Sequence, residues 1–143
     1  MDHNMFCFQC EQTAGCTGCT SRGVCGKDAQ TAQVQDRLTG ALIGLARAAD
    51  TSPDAGPETW QLMIEGLFAT LTNVNFDPDS LNALAGRVRA EKQRLVPDCA
   101  VCTAPCGRTG DYDLAQLWGA QEDIRSLKSL LLFGSRGMAA YAY

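Results

Sequence analysis

The chain lacks the features that would tie it to nucleic acid or to a lipid bilayer. Its 143 residues carry 12 Lys and Arg against 16 Asp and Glu, a net charge of -4, so no basic footprint exists for a phosphate backbone. No apolar run approaches the ~20 residues that a membrane-spanning helix requires. No segment sustains the alternation of polar and apolar residues that marks strands, which leaves an all-α fold as the expected class. The single histidine, His3, sits in a short polar lead, where a solvated terminal side chain is the plain expectation. That lead does not read as a secretory signal, and with eight cysteines the expected setting is a reducing, low-oxygen cytoplasm. One domain of this length removes roughly two-thirds of its unfolded surface from water.

Five of the eight cysteines fall within residues 6–27, and this stretch alone names a chemistry. Cys7 and Cys10 form a C-x2-C pair, a spacing that lets two thiolates face one metal centre. Cys19 and Cys25 follow at C-x8-C and C-x5-C intervals, through a segment whose Gly15, Gly18 and Gly23 allow tight folding around an inorganic core. Cys16 is left over. Thr13, Thr17, Thr20 and Ser21 are candidates to direct hydroxyls at sulfur. Three readings compete. Structural zinc sites usually pair two short knuckles, and only one is present. Disulfides suit secreted scaffolds rather than a chain with this apolar helical remainder. An iron–sulfur centre is the favoured reading, with Cys7, Cys10, Cys19 and Cys25 as its ligands.

The remainder has helical periodicity. Val34, Leu38, Ala41, Leu45 and Ala48 predict a helix from about Asp28 to Ala49, with Gly40 and Gly44 marking a close helix contact, followed by a loop over residues 50–57. Pro57 suits the first turn of a second helix with Trp60, Met63, Ile64, Leu67, Phe68 and Leu71 on its buried face. Asp77 and Pro78 read as the N-cap and first residue of a third helix through about Leu95, with Leu81, Leu84, Val88 and Leu95 inward. Its Arg87, Arg89, Glu91, Lys92 and Arg94 read as a solvated face. After Pro97 comes a second cysteine group, Cys99, Cys102 and Cys106, whose C-x2-C-x3-C spacing lacks a fourth member and reads as ordinary loop thiols. Leu114, Leu117 and Trp118 suggest a short helix. Ile124, Leu127, Leu131, Gly134, Met138 and Tyr141 predict a long one, in which Gly134, Gly137 and Ala140 permit a neighbour's close approach.

Met5-Phe6-Cys7-Phe8-Gln9-Cys10-Glu11-Gln12-Thr13, then Gly18-Cys19-Thr20 and Gly23-Val24-Cys25-Gly26-Lys27, resembles the N-terminal signature of the hybrid cluster proteins, also called prismane proteins or hydroxylamine reductases. Residues 65–77, 122–127 and 137–142 are also similar to that family. The C-x2-C-x8-C-x5-C spacing resembles its strictly anaerobic branch, in which such cysteines hold a 4Fe-4S cluster; another branch has longer spacings and a 2Fe-2S centre. The resemblance implies that Cys7, Cys10, Cys19 and Cys25 are the ligands and Cys16 is not. It also implies a family activity, reduction of hydroxylamine to ammonia and of nitric oxide, at a hybrid 4Fe-2S-2O cluster whose ligands lie downstream of this chain. The expected organisation is a cysteine-rich cluster-binding segment, residues 1–27, and a helical domain, residues 28–143, truncated at its C-terminal end. Expected partners are a redox donor protein and the remaining domains of a longer parent, with no nucleic acid and no membrane. Two rivals remain at this level: a stand-alone iron–sulfur carrier and a zinc-stabilised helical interaction module.

Overall fold

The computed structural model describes residues 5–10, 17–97 and 110–143; His3, Thr13, Cys16, Cys99, Cys102 and Cys106 lie outside the described residues. Five helices form: α1 (Ala29–Thr51), α2 (Pro57–Ala69), α3 (Pro78–Leu95), α4 (Leu114–Trp118) and α5 (Glu122–Ala142). The class is all-α, as expected, and the only strand-like feature among the described residues is a bridge between Cys7 and Cys19. None of these helices is long and apolar enough to cross a membrane.

Helix α1 packs against α2, α3 and α4, while α5 lies against α2 and α4. Asp28 caps it by accepting a hydrogen bond from the Thr31 amide at 2.8 Å, and Pro53 follows two residues past its end. The predicted stripe is buried, and Leu38 and Leu45 share a core with Leu81 and Val88 of α3. Each such side chain contributes about 1.5–3 kcal/mol through burial. Helix α3 begins as its Asp77-Pro78 pair predicts, with the Asp77 carboxylate accepting from the Asp79 amide at 3.0 Å. Its charged face is exposed or half-buried and pairs with neighbours: Arg87 with Glu65 at 2.6 Å, and both Arg89 and Lys92 with Asp111 at 2.9 and 2.5 Å. Pairs of this kind contribute under about 1 kcal/mol each.

Helix α2 corrects the sequence reading in part. Trp60 is exposed and Ile64, Phe68 and Leu71 are only half-buried, whereas Thr59, Leu62, Gly66 and Ala69 are buried, with the half-buried Met63 and Leu67 packed against the core as expected. The reason is steric: small residues bring α2 close to α1, and a Cβ on Gly66 would lie 2.6 Å from Leu42 Cδ2. The glycines of α1 also act differently from expectation. A Cβ on Gly40 would lie 2.2 Å from the Tyr112 carbonyl oxygen, so Gly40 admits the segment leading into α4 and not another helix.

Helix α5 carries the largest departure. Leu127, Leu131, Met138 and Tyr141 are exposed, at 60%, 71%, 74% and 97%. Gly134 and Gly137 meet no neighbour among the described residues. Only Arg136 and Ala139 of this helix are buried. The three-and-four periodicity therefore marks a face that these residues leave uncovered.

Candidate metal centre

The cysteine-bearing segment is built at the N-terminal end of α1. Cys7 and Cys19 face each other across an antiparallel bridge, the Cys7 amide donating to the Cys19 carbonyl at 3.0 Å and the Cys19 amide returning the bond at 2.8 Å. Gly18 makes this approach possible with a φ of 106°, and a Cβ there would lie 2.6 Å from Phe6 Cε2. The second half closes in a tight turn in which Gly26 donates to the Gly23 carbonyl at 2.8 Å and Gly23 to the Lys27 carbonyl at 2.9 Å. A Cβ on Gly23 would lie 3.1 Å from Cys25 Sγ, so glycine there leaves room for that sulfur.

All four sequence-predicted ligands are free thiols, with Cys7 and Cys19 buried and Cys10 and Cys25 half-buried. That argues against the disulfide reading at these positions. Thr20 and Ser21 are exposed. Phe6 and Phe8, on either side of Cys7, pack on Trp118 of α4 with ring centroids 5.1 and 4.9 Å away, and Phe8 joins Leu114 and Leu117 in a small core of its own. Helix α4 is thereby the lid that holds the first knuckle down.

Behind the knuckle lies a buried polar network that the cysteine spacing did not reveal. Gln9, between Cys7 and Cys10, donates through Nε2 to the Ala32 carbonyl at 3.2 Å and to Asp36 Oδ1 at 2.5 Å. Its Oε1 accepts from Lys27 Nζ at 3.3 Å, and Lys27 also donates to Gln35 Oε1. Arg136 arrives from α5. Its guanidinium donates to the Gln9 carbonyl at 2.9 Å, Thr39 Oγ1 at 2.8 Å and Thr70 Oγ1 at 3.0 Å. The sequence signal for Arg136 was a single cation inside the apolar run 130–142.

Electrostatics follow from burial. Burial pushes the Cys7 thiol up, opposed chiefly by the Lys27 ammonium. Burial also raises the Asp36 carboxyl to about 6, against the hydrogen bond from Gln9 and the charges of Lys27 and Arg136. Arg136 is brought down to about 10 by burial and stays charged at neutral pH, with Asp36, Cys7 and Cys10 acting to keep its proton.

Four thiols with buried cations behind them are a donor set suited to an anionic thiolate centre. Among the described residues, no three His, Cys, Asp or Glu side chains are already gathered around a single metal position. The donor chemistry fits an iron–sulfur group, with Cys7 and Cys19 in register and Cys10 within electrostatic reach of Cys7.

Comparison with known proteins agrees with these observations. A hydroxylamine reductase of Desulfitobacterium hafniense (strain Y51) is 38% identical over 159 residues, covering 97% of this chain and 29% of the relative. One from Clostridium perfringens is 39% identical, covering 96% and 29%, and one from Maridesulfovibrio salexigens is 38% identical, covering 96% and 28%. The chain thus spans under a third of the length of these relatives. The pattern of one family matches residues 5–143. The chain belongs to the Prismane/CO dehydrogenase family.

Proposed function

We propose that this chain is the electron-input part of a hydroxylamine reductase, with Cys7, Cys10, Cys19 and Cys25 as ligands of a 4Fe-4S cluster. Membership of the family supports iron–sulfur cofactors, and the observation that carries the reading is four free thiols, Cys7 and Cys19 bonded face to face and Cys25 in the turn that leads into α1. When bound, such a cluster supplies one-electron transfer. The chain's own residues hold it: the Cys7–Cys19 bridge fixes two sulfurs, Gly18 and Gly23 make space, and Phe6, Phe8 and Trp118 limit water on one side.

The electron would come from a cytoplasmic donor protein and go on to a hybrid 4Fe-2S-2O centre in the remaining domains of a longer protein. Cleaving the N–O bond of hydroxylamine to ammonia and water consumes a pair of electrons and a pair of protons. These 143 residues alone are therefore expected to carry no turnover. The uncovered face of α5 supports packing by further polypeptide, because exposed apolar patches of this kind mark interfaces.

Metal and acid-labile sulfide analysis of anaerobically purified chain tests the reading. The expected result is about four iron and about four sulfide per chain, brown colour and a paramagnetic signal on reduction. About one zinc in a colourless protein would replace it with the zinc module, and hydroxylamine turnover by the reduced chain would overturn the division of labour.

A further inference from the structure

Arg136 is 1% exposed, and a guanidinium so placed is costly unless something balances its charge. Among the described residues its hydrogen bonds end on neutral oxygens: the Gln9 carbonyl, the Thr39 hydroxyl and the Thr70 hydroxyl. Lys27, 4% exposed, likewise donates to the neutral amide oxygens of Gln9 and Gln35. Among the described residues the carboxylate that faces both cations is Asp36, which Gln9 holds through its Nε2. The guanidinium sits on the Gln9 carbonyl between Cys7 and Cys10, where the charge of metal-bound thiolates would complete the balance.

We infer that Arg136 is the fixed counter-charge of the thiolate centre: held by Thr39 and Thr70, it anchors the backbone between Cys7 and Cys10 and favours the reduced form of whatever those sulfurs bind. This rests on the iron–sulfur reading above. One added electron brings one more negative charge and no proton, and a nearby cation in a low-dielectric interior stabilises the more negative state more than the less negative one. Arg136 is a positioning residue; it is not a ligand. Lys27 lies two residues from Cys25, so changing it would disturb a ligand as well, and Arg136 isolates the charge effect.

The test is a reductive potentiometric titration of the anaerobically reconstituted full chain, followed by electron paramagnetic resonance. Iron and sulfide are assayed on every sample. Arg136→Gln is expected to keep the iron and sulfide of the unaltered chain and to lower the reduced-to-oxidised ratio about tenfold at fixed potential, equal to about 59 mV for a one-electron couple. Arg136→Lys, which keeps the charge, is expected to stay within twofold. Thr70→Asp sets a carboxylate against Arg136 Nε without removing the arginine, and it is expected to move the ratio as Arg136→Gln does. It decides the question if Arg136→Gln does not fold. Fully loaded Arg136→Gln or Thr70→Asp titrating with the unaltered chain would overturn the inference alone. An unaltered chain that binds no iron would overturn the iron–sulfur reading beneath it.

Discussion

Replacing Gly40 by alanine is expected to destabilise the protein, although alanine is the better helix former. The new Cβ would stand 2.2 Å from the Tyr112 carbonyl oxygen, which is backbone and cannot swing aside. Relieving that overlap means moving the segment before α4, at about 1–3 kcal/mol. Such a shift also breaks the bond from the Tyr112 amide to the Gly40 carbonyl, 3.0 Å long, at about 1 kcal/mol. The gain in helix propensity returns about 1 kcal/mol. The net is about 2 kcal/mol of lost stability. Gly86, on the exposed side of α3, has nothing within 4 Å of the corresponding position, so Gly86→Ala should raise stability by about 0.5–1 kcal/mol. Urea unfolding followed by far-ultraviolet circular dichroism compares the two directly. Because α4 carries Leu114, Leu117 and Trp118 against Phe8, Gly40→Ala should also weaken retention of a reconstituted centre. A Gly40→Ala protein as stable as the unaltered one would refute the close approach on which this rests.

In metal-free protein, Asp36 should make stability fall as pH rises. Its folded-state pKa, about 6, lies above the ordinary carboxyl value, so its contribution is complete below about pH 4 and lost as pH climbs through 6, at about 3 kcal/mol. Asp36→Asn, whose carbonyl still accepts from Gln9, should be more stable at pH 7 and lack that slope; parallel pH profiles for the two proteins would contradict it. Glu91 has the opposite sign. The hydrogen bond from Arg94, then that from Thr59, lowers it to about 2, so its contribution is present above about pH 4.5 and lost as pH falls towards 2. Since Arg94 is half-exposed, about 1 kcal/mol is expected, read as the difference in acid unfolding between Glu91→Gln and the unaltered chain. Leu131→Lys should change the stability of these 143 residues by no more than about 0.5 kcal/mol, yet should abolish docking of any further domain supplied in trans. A large loss in the chain alone would show that the face is already covered.

The helices were largely legible because their ends carry chemical signals. Asp77 caps where the sequence places a cap, the first helix starts beside Asp28 as its apolar spacing predicts, and the spacing of α1 and α3 is the spacing that packs. Helix α2 was misread in part: Met63 and Leu67 pack on the core as expected, but Trp60 does not, and Gly66 faces the core because its small size lets α2 approach Leu42 of α1. The periodicity of α5 was read correctly as a helix, but periodicity does not say what covers a face. At the site, spacing singled out Cys7, Cys10, Cys19 and Cys25, which the fold leaves as free thiols. Gln9, Asp36 and Arg136 were not legible, because the bonds from Gln9 to Asp36 and from Arg136 to Gln9 span 27 and 127 residues and only the folded chain brings them together.

Single serine replacements of Cys7, Cys10, Cys19 and Cys25, each reconstituted anaerobically and assayed for iron and sulfide, test the central claim most directly. Every variant should lose most of its iron and the brown colour while circular dichroism still shows folded helix. Iron and colour at unaltered levels in all of them would contradict the assignment of these cysteines as the ligands.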